Sequence, residues 1–102
     1  MPTMIVLVNL KESVSPEEYE RWIIESYAPA AKALPSVEDW RDYRVSGLLG
    51  SLARSPYQYV VTLEIKDPEQ LRRDMASKEM QRLISELHEL AESTQLVSER
   101  FA

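Results

Sequence analysis

The sequence predicts an α+β fold whose elements follow the order strand–helix–strand–strand–helix–strand. Two apolar or alternating runs, 4–10 and 57–66, have the composition of central strands. Each run is followed by the same helix-start pattern, a capping residue, a proline and a glutamate. The two patterns are offset by 55 residues, from Asn9 to Glu64, which indicates two similar βαβ-type halves.

The first half of the chain begins with a strand and continues into a helix. Residues 4–10 form an unbroken apolar and β-branched run, which is typical of a strand that is apolar on both faces. Ser15 can cap the helix that follows, and Pro16 suits its first position. Pro29 lacks a backbone donor, so we expect it to kink or interrupt the helix before the helix ends at 34–36.

Two strands and a loop occupy the middle of the chain. Residues 37–46 are polar-rich but include Trp40, so we predict a second strand at an edge of the sheet. Residues 47–56 form the hairpin loop, which contains three leucines and is unusually apolar for a loop. Apolar and polar side chains alternate in residues 57–66, which is typical of a strand.

The second helix and the last strand complete the chain. Asp67 and Pro68 repeat the helix-start pattern. We expect this helix to break at 76–78, where Ser77 can cap a new turn. A last short strand is predicted for residues 94–101.

Together these elements predict one ferredoxin-like βαββαβ domain that spans residues 1–102. Such a domain has a four-stranded antiparallel sheet with two helices on one face. We expect the first and third strands, as equivalent members of the two halves, to be central. We also expect these two strands to run parallel.

The two helices can cover only one face of such a sheet. Tyr59, Val61 and Leu63 should face the helices on the third strand, as Val6 and Val8 should on the first. The opposite face of the two central strands should carry Ile5, Leu7, Asn9, Val60, Thr62 and Glu64. Because an apolar face of this size usually marks an interface, we predict a barrel-like homodimer that pairs through this face and the 47–56 loop. The alternative is a solvated, slightly apolar sheet.

Composition excludes several classes of function. The chain of 102 residues has ordinary globular proportions, 44% hydrophobic and 28% charged. It has no Cys, which excludes disulfides, thiolate catalysis and Cys-ligated zinc, and we expect no metal site. A net charge of −5 opposes binding to nucleic acid or to an anionic membrane surface. The start of the chain lacks the basic region of a secretion signal, so we expect a cytoplasmic protein.

The tail of the first helix, 27–37, and the second-strand segment, 40–45, carry a resemblance to a known family. With the element order, they resemble the dimeric α+β barrel superfamily. EthD-like members of it have the pattern His-x-Pro, Leu-Pro-Gly and Tyr-x-Val in this region. Here Tyr27 stands in the place of the His, and Ser36 replaces the Gly. The chain is more similar to the RedY-like branch, small proteins of prodigiosin-type and bisindole natural-product pathways.

This resemblance implies a function. It implies a cofactor-free enzyme of antibiotic or other natural-product biosynthesis that holds a flat aromatic or heteroaromatic intermediate and assists its condensation or cyclisation. In this superfamily a ligand can also lie between the sheet and the helices, where Trp22, Tyr27 and Tyr59 would be favoured over Glu64. Tyr27 can donate a hydrogen bond, but it is a poor base at neutral pH.

The candidate catalytic residues are Glu64, Asn9 and Tyr27. Glu64 lies near the end of a central strand on the face away from the helices, with Asn9 expected beside it on the adjacent strand. Burial would raise the pKa of Glu64 and suit it to general acid or base catalysis. The alternative is a glutamate at the solvated rim, or one paired with Arg44 across the dimer.

Seven residues are candidates for contacts with a ligand. Aromatic side chains could line a slot for a flat molecule, whereas Arg44, together with Asp42, could orient a polar substituent. His88 is the one histidine of the chain and lies beside the apolar stripe of the second helix. The candidates for substrate binding are Trp22, Trp40, Tyr43, Arg44, Tyr59, Thr62 and His88. At helical or strand spacing such residues also occur simply as core or surface positions.

Three other functions remain open from the sequence. A non-catalytic dimer that binds a small ligand would have the same slot without turnover. A small monooxygenase or haem-handling member of the superfamily would share the fold. RNA-recognition domains share the element order, but Val6 occupies the position of their stacking aromatic residue, and the net charge opposes RNA binding.

Overall fold

A computed structural model describes residues 2–102, in which four strands form one antiparallel sheet. The strands are β1 (Pro2–Leu10), β2 (Val37–Arg44), β3 (Tyr59–Ile65) and β4 (Ala91–Glu99), in the spatial order β2-β3-β1-β4. The helices pack on one face of this sheet. The predicted α+β class and ferredoxin-like order are confirmed, with β1 and β3 in the centre.

The two central strands run antiparallel, so the expectation that they are parallel was wrong. Val6 of β1 lies opposite Val61 of β3, and Thr3 lies opposite Glu64. The reason is that β2 and β3 are joined as a hairpin, which reverses the chain direction between the two halves. Each helix therefore connects two strands that run the same way but are separated by a strand of the other half.

The first helix starts as predicted and is interrupted before its proline. The Ser15 hydroxyl caps α1 (Pro16–Trp22) by accepting a hydrogen bond from the Glu18 amide at 3.1 Å. A π-helical segment (Ile23–Tyr27) follows, and α2 (Ala28–Lys32) completes the helix. The Ala28 amide donates to the Ile23 carbonyl, five residues back, because Pro29 has no amide to continue the α-helical ladder.

The second helix is divided at the predicted position. Asp67 caps α3 (Pro68–Met75), and Ser77 caps α4 (Lys78–Leu90) by accepting from the Met80 amide at 3.2 Å. No helix formed by residues 2–102 has the length and apolarity needed to cross a membrane.

The last strand begins earlier than predicted. Ala91, which is 2% exposed, takes an extended conformation immediately after α4, so helix and strand join without a loop. β4 then pairs with β1 along nine residues and ends at Glu99. The predicted strand 94–101 therefore missed the first three residues of β4 and continued two residues past its end.

The core lies between the sheet and the helices. Val8 and Val61 are buried on the sheet side, and Met80 and Leu83 on the helix side. The faces that the sequence predicted for β1 and β3 are correct, because the set expected to face the helices is the buried set. On the opposite face Ile5, Leu7, Val60, Thr62 and Glu64 are only half-buried.

The connection between β2 and β3 is fixed to the sheet at its end. The Asn9 amide group donates to the Pro56 carbonyl at 2.8 Å and accepts from the Gln58 amide at 3.1 Å. Further out, the side chains of Leu49 and Leu52 are fully exposed. Asn9 thus anchors a loop whose apolar tip has no packing within residues 2–102.

A partly buried hydrogen-bond cluster joins α3 to the start of β2. Ser36 is 1% exposed, and its hydroxyl and amide both donate to Asp74 Oδ2, at 2.6 and 3.2 Å. Gln70 donates to the other carboxylate oxygen at 2.6 Å. The Ser36 hydroxyl, followed by Gln70, holds the pKa of Asp74 below its usual value.

This cluster predicts a specific acid sensitivity. Because the pKa of Asp74 is lower in the folded chain, its hydrogen bonds stabilise the fold above the unfolded-state pKa, about 4, and this stability is lost as the pH falls through the folded-state pKa. We expect Asp74→Asn to unfold more readily at pH 7 and to lose less stability on acidification. Urea unfolding at a series of pH values measures both effects. Glu79→Gln, on an exposed face of α4, is the control, and equal pH slopes for Asp74→Asn and the parent chain would contradict the prediction.

Candidate functional site

A cavity of about 590 Å³ lies between the sheet and the helices. All four strands contribute to its floor, and α1, the π-helical segment, α3 and α4 form its walls and roof. The side chains that line it are Met4, Val6, Val8, Tyr19, Ile23, Tyr27, Trp40, Asp42, Val61, Leu63, Leu71, Met75, Ile84, Leu87, His88, Ser93 and Gln95. The lining is largely apolar.

The floor of the cavity is apolar in its middle and polar at its two edges. Strand pairing places Asp42, Val61, Val6 and Gln95 side by side in one row across the sheet. Because β2 and β4 are the edge strands, the carboxyl group of Asp42 and the amide of Gln95 lie at opposite sides of the floor.

One wall of the cavity is aromatic. The ring of Tyr27 lies between Trp22 and Trp40, with centroid distances of 5.4 and 5.6 Å. Burial, and then the nearby charge of Asp42, raise the pKa of Tyr27 to about 12. Tyr27 is therefore neutral at physiological pH and can act there as a hydrogen-bond donor but not as a base.

Asp42 is the one acidic residue among the side chains that line this cavity. Trp40 Nε1 donates to Asp42 Oδ2 at 2.8 Å, which orients the carboxyl group at the cavity edge. The residue is exposed to solvent on one side, and partial desolvation of its carboxyl group at the cavity edge raises the pKa of Asp42. The hydrogen bond from Trp40 opposes that rise. Asp42 is thus more readily protonated than an ordinary aspartate.

A smaller cavity of about 250 Å³ adjoins this edge and shares Asp42 with the first. Inside it, Glu20 accepts hydrogen bonds from Arg44 Nε and from the Tyr59 hydroxyl, both at 2.8 Å. Arg44, and then Tyr59, lower the pKa of Glu20 to about 2. Glu20 is therefore a permanent anion whose charge is matched by Arg44.

Comparison with known proteins identifies the family. The family model described as REDY-like protein HapK matches residues 2–101. The chain belongs to this family. No curated protein matches the chain.

Solved structures show the same fold. The crystal structure of HapK from Hahella chejuensis is 25% identical, covers 99% of this chain and 93% of its own, and has a TM-score of 0.81. An EthD family protein of Bacillus halodurans is 18% identical, with 99% of both chains covered and a TM-score of 0.74. SnoaB of Streptomyces nogalater, described as a cofactor-independent oxygenase, is 17% identical, with 99% and 93% covered and a TM-score of 0.77. The resemblance seen in the sequence is confirmed at the level of family and fold.

The structure separates the seven candidate binding residues into four places. Trp40 and His88 line the main cavity, together with the candidate catalytic residue Tyr27. Trp22 supports Tyr27 from behind, and its indole N–H donates to Glu86 at 3.0 Å. The smaller cavity is lined by Tyr43, Arg44 and Tyr59, whereas Thr62 lies on the opposite face of the sheet.

The expected pairing of Glu64 with Asn9 was wrong. Glu64 accepts hydrogen bonds from the Thr3 hydroxyl at 2.8 and 2.9 Å, on the face away from the helices. Asn9 is six residues from Thr3 along β1, which is roughly 20 Å for a strand. The antiparallel pairing of β1 with β3 separates the two side chains, since it places the end of one strand beside the start of the other. Neither residue lines the main cavity.

Three cavity residues with polar groups were not among the candidates from the sequence. They are Tyr19 on α1 and Ser93 and Gln95 on β4. The alternation of Ser93 and Gln95 along β4 could have placed both on the helix-facing side, had the strand been predicted to start at Ala91. Within residues 2–102, His, Asp and Glu side chains do not gather in groups of three or more that could hold a metal ion.

The hydrogen bond between Trp40 and Asp42 makes a testable prediction. Since Trp40 stabilises the ionised carboxylate, Trp40→Phe should raise the pKa of Asp42 further above its usual value. Carbon-detected NMR titration of the Asp42 carboxyl group measures this change. Trp22→Phe removes a similar indole donor from Glu86 and should leave the Asp42 titration in place. A lower or unchanged pKa in Trp40→Phe would contradict the assignment.

Proposed function

We propose that the chain is a homodimeric, cofactor-independent enzyme that assists condensation or cyclisation of a flat aromatic or heteroaromatic natural-product intermediate. The observation that carries this proposal is the cavity between sheet and helices, with an aromatic wall and one oriented carboxyl group. Its volume of about 590 Å³ suits a small organic molecule.

The walls favour a flat ligand. The rings of Tyr27 and Trp40 line the cavity, and Val6, Val61 and Leu63 supply an apolar floor. Aromatic rings pack well against such surfaces in offset or tilted arrangements. A ligand with few charges therefore loses little solvation free energy on entering the cavity. An anionic ligand would be repelled by the carboxylate of Asp42.

The chemistry of the proposed reaction needs a group that both takes and returns a proton. When a carbonyl carbon condenses with a carbon of a pyrrole-type ring, the carbonyl oxygen gains two protons and leaves as water. The ring carbon and the ring nitrogen each release one proton, which leaves a neutral conjugated product. Asp42 can do both in this proposal, because partial desolvation raises its pKa above the usual value and Trp40 keeps its carboxyl group oriented. Tyr27 would donate a hydrogen bond to the carbonyl oxygen.

The comparisons support an enzyme of this type. The chain belongs to the REDY-like HapK family, and the similar fold of SnoaB serves a cofactor-independent oxygenase. A non-catalytic ligand-binding dimer is the second candidate. It is favoured by the raised pKa of Tyr27, which removes a base from the position where EthD-like members have a His.

Substitution of Asp42 separates the two candidates. We expect Asp42→Asn to retain the fold and to bind aromatic ligands, but to lose turnover by roughly 10²- to 10⁴-fold. A panel of aryl aldehydes paired with pyrroles or indoles, followed by absorbance of the conjugated product, measures turnover. Glu64→Gln is the matched control on the other sheet face. A binding module would give no turnover in any variant, and loss in Glu64→Gln with retention in Asp42→Asn would refute the assignment.

The proposed homodimer would form through the outer face of the sheet, the face away from the helices. Leu7 lies at the centre of that face between Val60 and Thr94, and Ile5 lies beside Leu96, which is 44% exposed. A second copy of the same face would cover this apolar surface, and the exposed leucines of the loop at 47–56 would extend the interface. A dimeric ferredoxin-like protein of Thermobifida fusca, 15% identical, shares the fold.

A pair of charged substitutions tests the interface. We expect the parent chain to sediment as a dimer at micromolar concentration and Leu7→Glu to sediment as a monomer, because a carboxylate at the centre of an apolar interface is strongly disfavoured. Ile24→Glu, at an apolar side chain that is 70% exposed outside this face, should remain dimeric. A monomeric parent chain would overturn the dimer.

A further inference from the structure

Two buried tyrosines line the main cavity with hydroxyl groups that have no partner. Tyr19 is 3% exposed and Tyr27 is 5% exposed. Neither hydroxyl makes a hydrogen bond within residues 2–102. In the same part of the chain, no side-chain oxygen is both fully buried and unpaired. Each hydroxyl oxygen therefore borders open space, and the open space that both side chains line is the main cavity.

The π-helical turn places the two tyrosines on one face of the helix. In a regular α-helix two turns take about seven residues, so residues eight apart are rotated by roughly 80° about the axis. Here the Ala28 amide donates to the carbonyl of Ile23, five residues back, and the turn takes up one extra residue. Eight residues then make about two turns. Tyr19, Ile23 and Tyr27 consequently form one buried row along the cavity wall.

The packing around the two rings holds them in place. The ring of Tyr19 packs on that of Tyr59 at a centroid distance of 4.7 Å. Tyr59 is itself fixed, because its hydroxyl donates to Glu20 at 2.8 Å. The ring of Tyr27 lies between two tryptophans. Both hydroxyls are therefore oriented before a ligand enters, which is the condition for strong electrostatic stabilisation.

Both hydroxyls lie in the region of the cavity that contains Asp42. After burial, the charge of Asp42 is the next cause of the raised pKa of Tyr19 and of Tyr27. Tyr27 also contributes to the raised pKa of Tyr19, and such effects weaken with distance. Both groups stay protonated at physiological pH and can donate. Neither donates to Asp42, which accepts from Trp40 instead.

We propose that Tyr19 and Tyr27 form a two-donor pocket for one acceptor oxygen of the ligand, and that Tyr19 is a catalytic residue alongside Tyr27 and Asp42. This inference rests on the proposed function and adds a residue to its reaction. When the ring carbon attacks the carbonyl carbon, a C–C bond forms and the π electrons of the carbonyl group move onto its oxygen. The ring nitrogen carries the matching positive charge. The two hydroxyls stabilise the negative oxygen until protonated Asp42 transfers its proton to it.

The carbonyl stretching frequency of a bound ketone tests this pocket without turnover. The probe is 2-acetylnaphthalene with a ¹³C-labelled carbonyl group, whose frequency falls with each hydrogen bond that the oxygen accepts. We expect a lower frequency in the complex with the parent chain than in hexane. Tyr19→Phe and Tyr27→Phe should each raise the frequency part of the way, because phenylalanine keeps the ring and removes the donor. The double variant should bring it close to the hexane value.

Affinity and turnover provide two further measurements. In isothermal titration calorimetry each single variant should bind the probe roughly fivefold more weakly, since it loses one neutral hydrogen bond. With the aldehyde and pyrrole panel, Tyr19→Phe should lower kcat by roughly 10²-fold, because the donor matters most when the oxygen carries charge. Tyr57→Phe, outside both cavities, is the matched control and should behave as the parent chain. Circular dichroism confirms that each variant is folded.

The outcomes separate this inference from the proposed function. A carbonyl frequency that Tyr19→Phe leaves unchanged would overturn the two-donor pocket, even if the parent chain shows turnover. The expected frequency shifts in a chain without turnover would uphold the pocket and overturn the enzyme. Equal frequencies in hexane and in the parent complex would overturn the pocket as well. Absence of binding up to the solubility limit of the probe would overturn both proposals.

Discussion

The antiparallel pairing of β1 with β3 determines most of what this chain presents to a ligand. It brings two apolar strands together at the centre of the sheet and places Val6 opposite Val61. β2 and β4 then pair on the outer sides, so their polar side chains fall at the edges. The apolar floor, its two polar margins and the uncovered outer face all follow from this one register, because a strand alternates its side chains between two faces.

The interruption of the first helix lies beside the space above that floor. Pro29 cannot donate a backbone hydrogen bond, and the helix widens into a π-helical turn immediately before it. Ile23 and Tyr27, at the two ends of that turn, are both buried and both line the cavity. In a regular α-helix Tyr27 would have a different rotation about the helix axis. After the π-helical turn its ring lies beside that of Trp40. π-helical turns are frequent at functional sites.

The helix starts and the strand faces were predictable from the sequence, whereas the direction of strand pairing was not. Ser15, Asp67 and Ser77 act as caps because a short polar side chain followed by helix formers determines a helix start locally. The faces of β1 and β3 follow from alternation alone. The separation of Asn9 from Glu64 depends on the direction in which distant strands pair, which no local pattern encodes.

The site itself was predictable only in part, for a related reason. Tyr27, Trp40 and His88 could be predicted as candidates from residue type alone, because aromatic and imidazole side chains often contact ligands. The role proposed for Asp42 depends on its surroundings in space, which the sequence does not show. Those surroundings arise because β2 lies at the edge of the sheet, where Trp40 is two residues away on the same face.

Two neighbouring carboxyl groups show how this environment assigns chemical roles. Glu20 is fixed by Arg44 and Tyr59, which lower its pKa to about 2 and keep it ionised. Asp42 lines the same small cavity but has no cation in contact, so desolvation dominates and its pKa is raised. Where two titratable groups are driven in opposite directions, the group driven towards neutrality is the one that can exchange a proton. Glu20 therefore holds the architecture around Arg44 and Tyr59, and Asp42 is the group to which the proposed function assigns proton transfer.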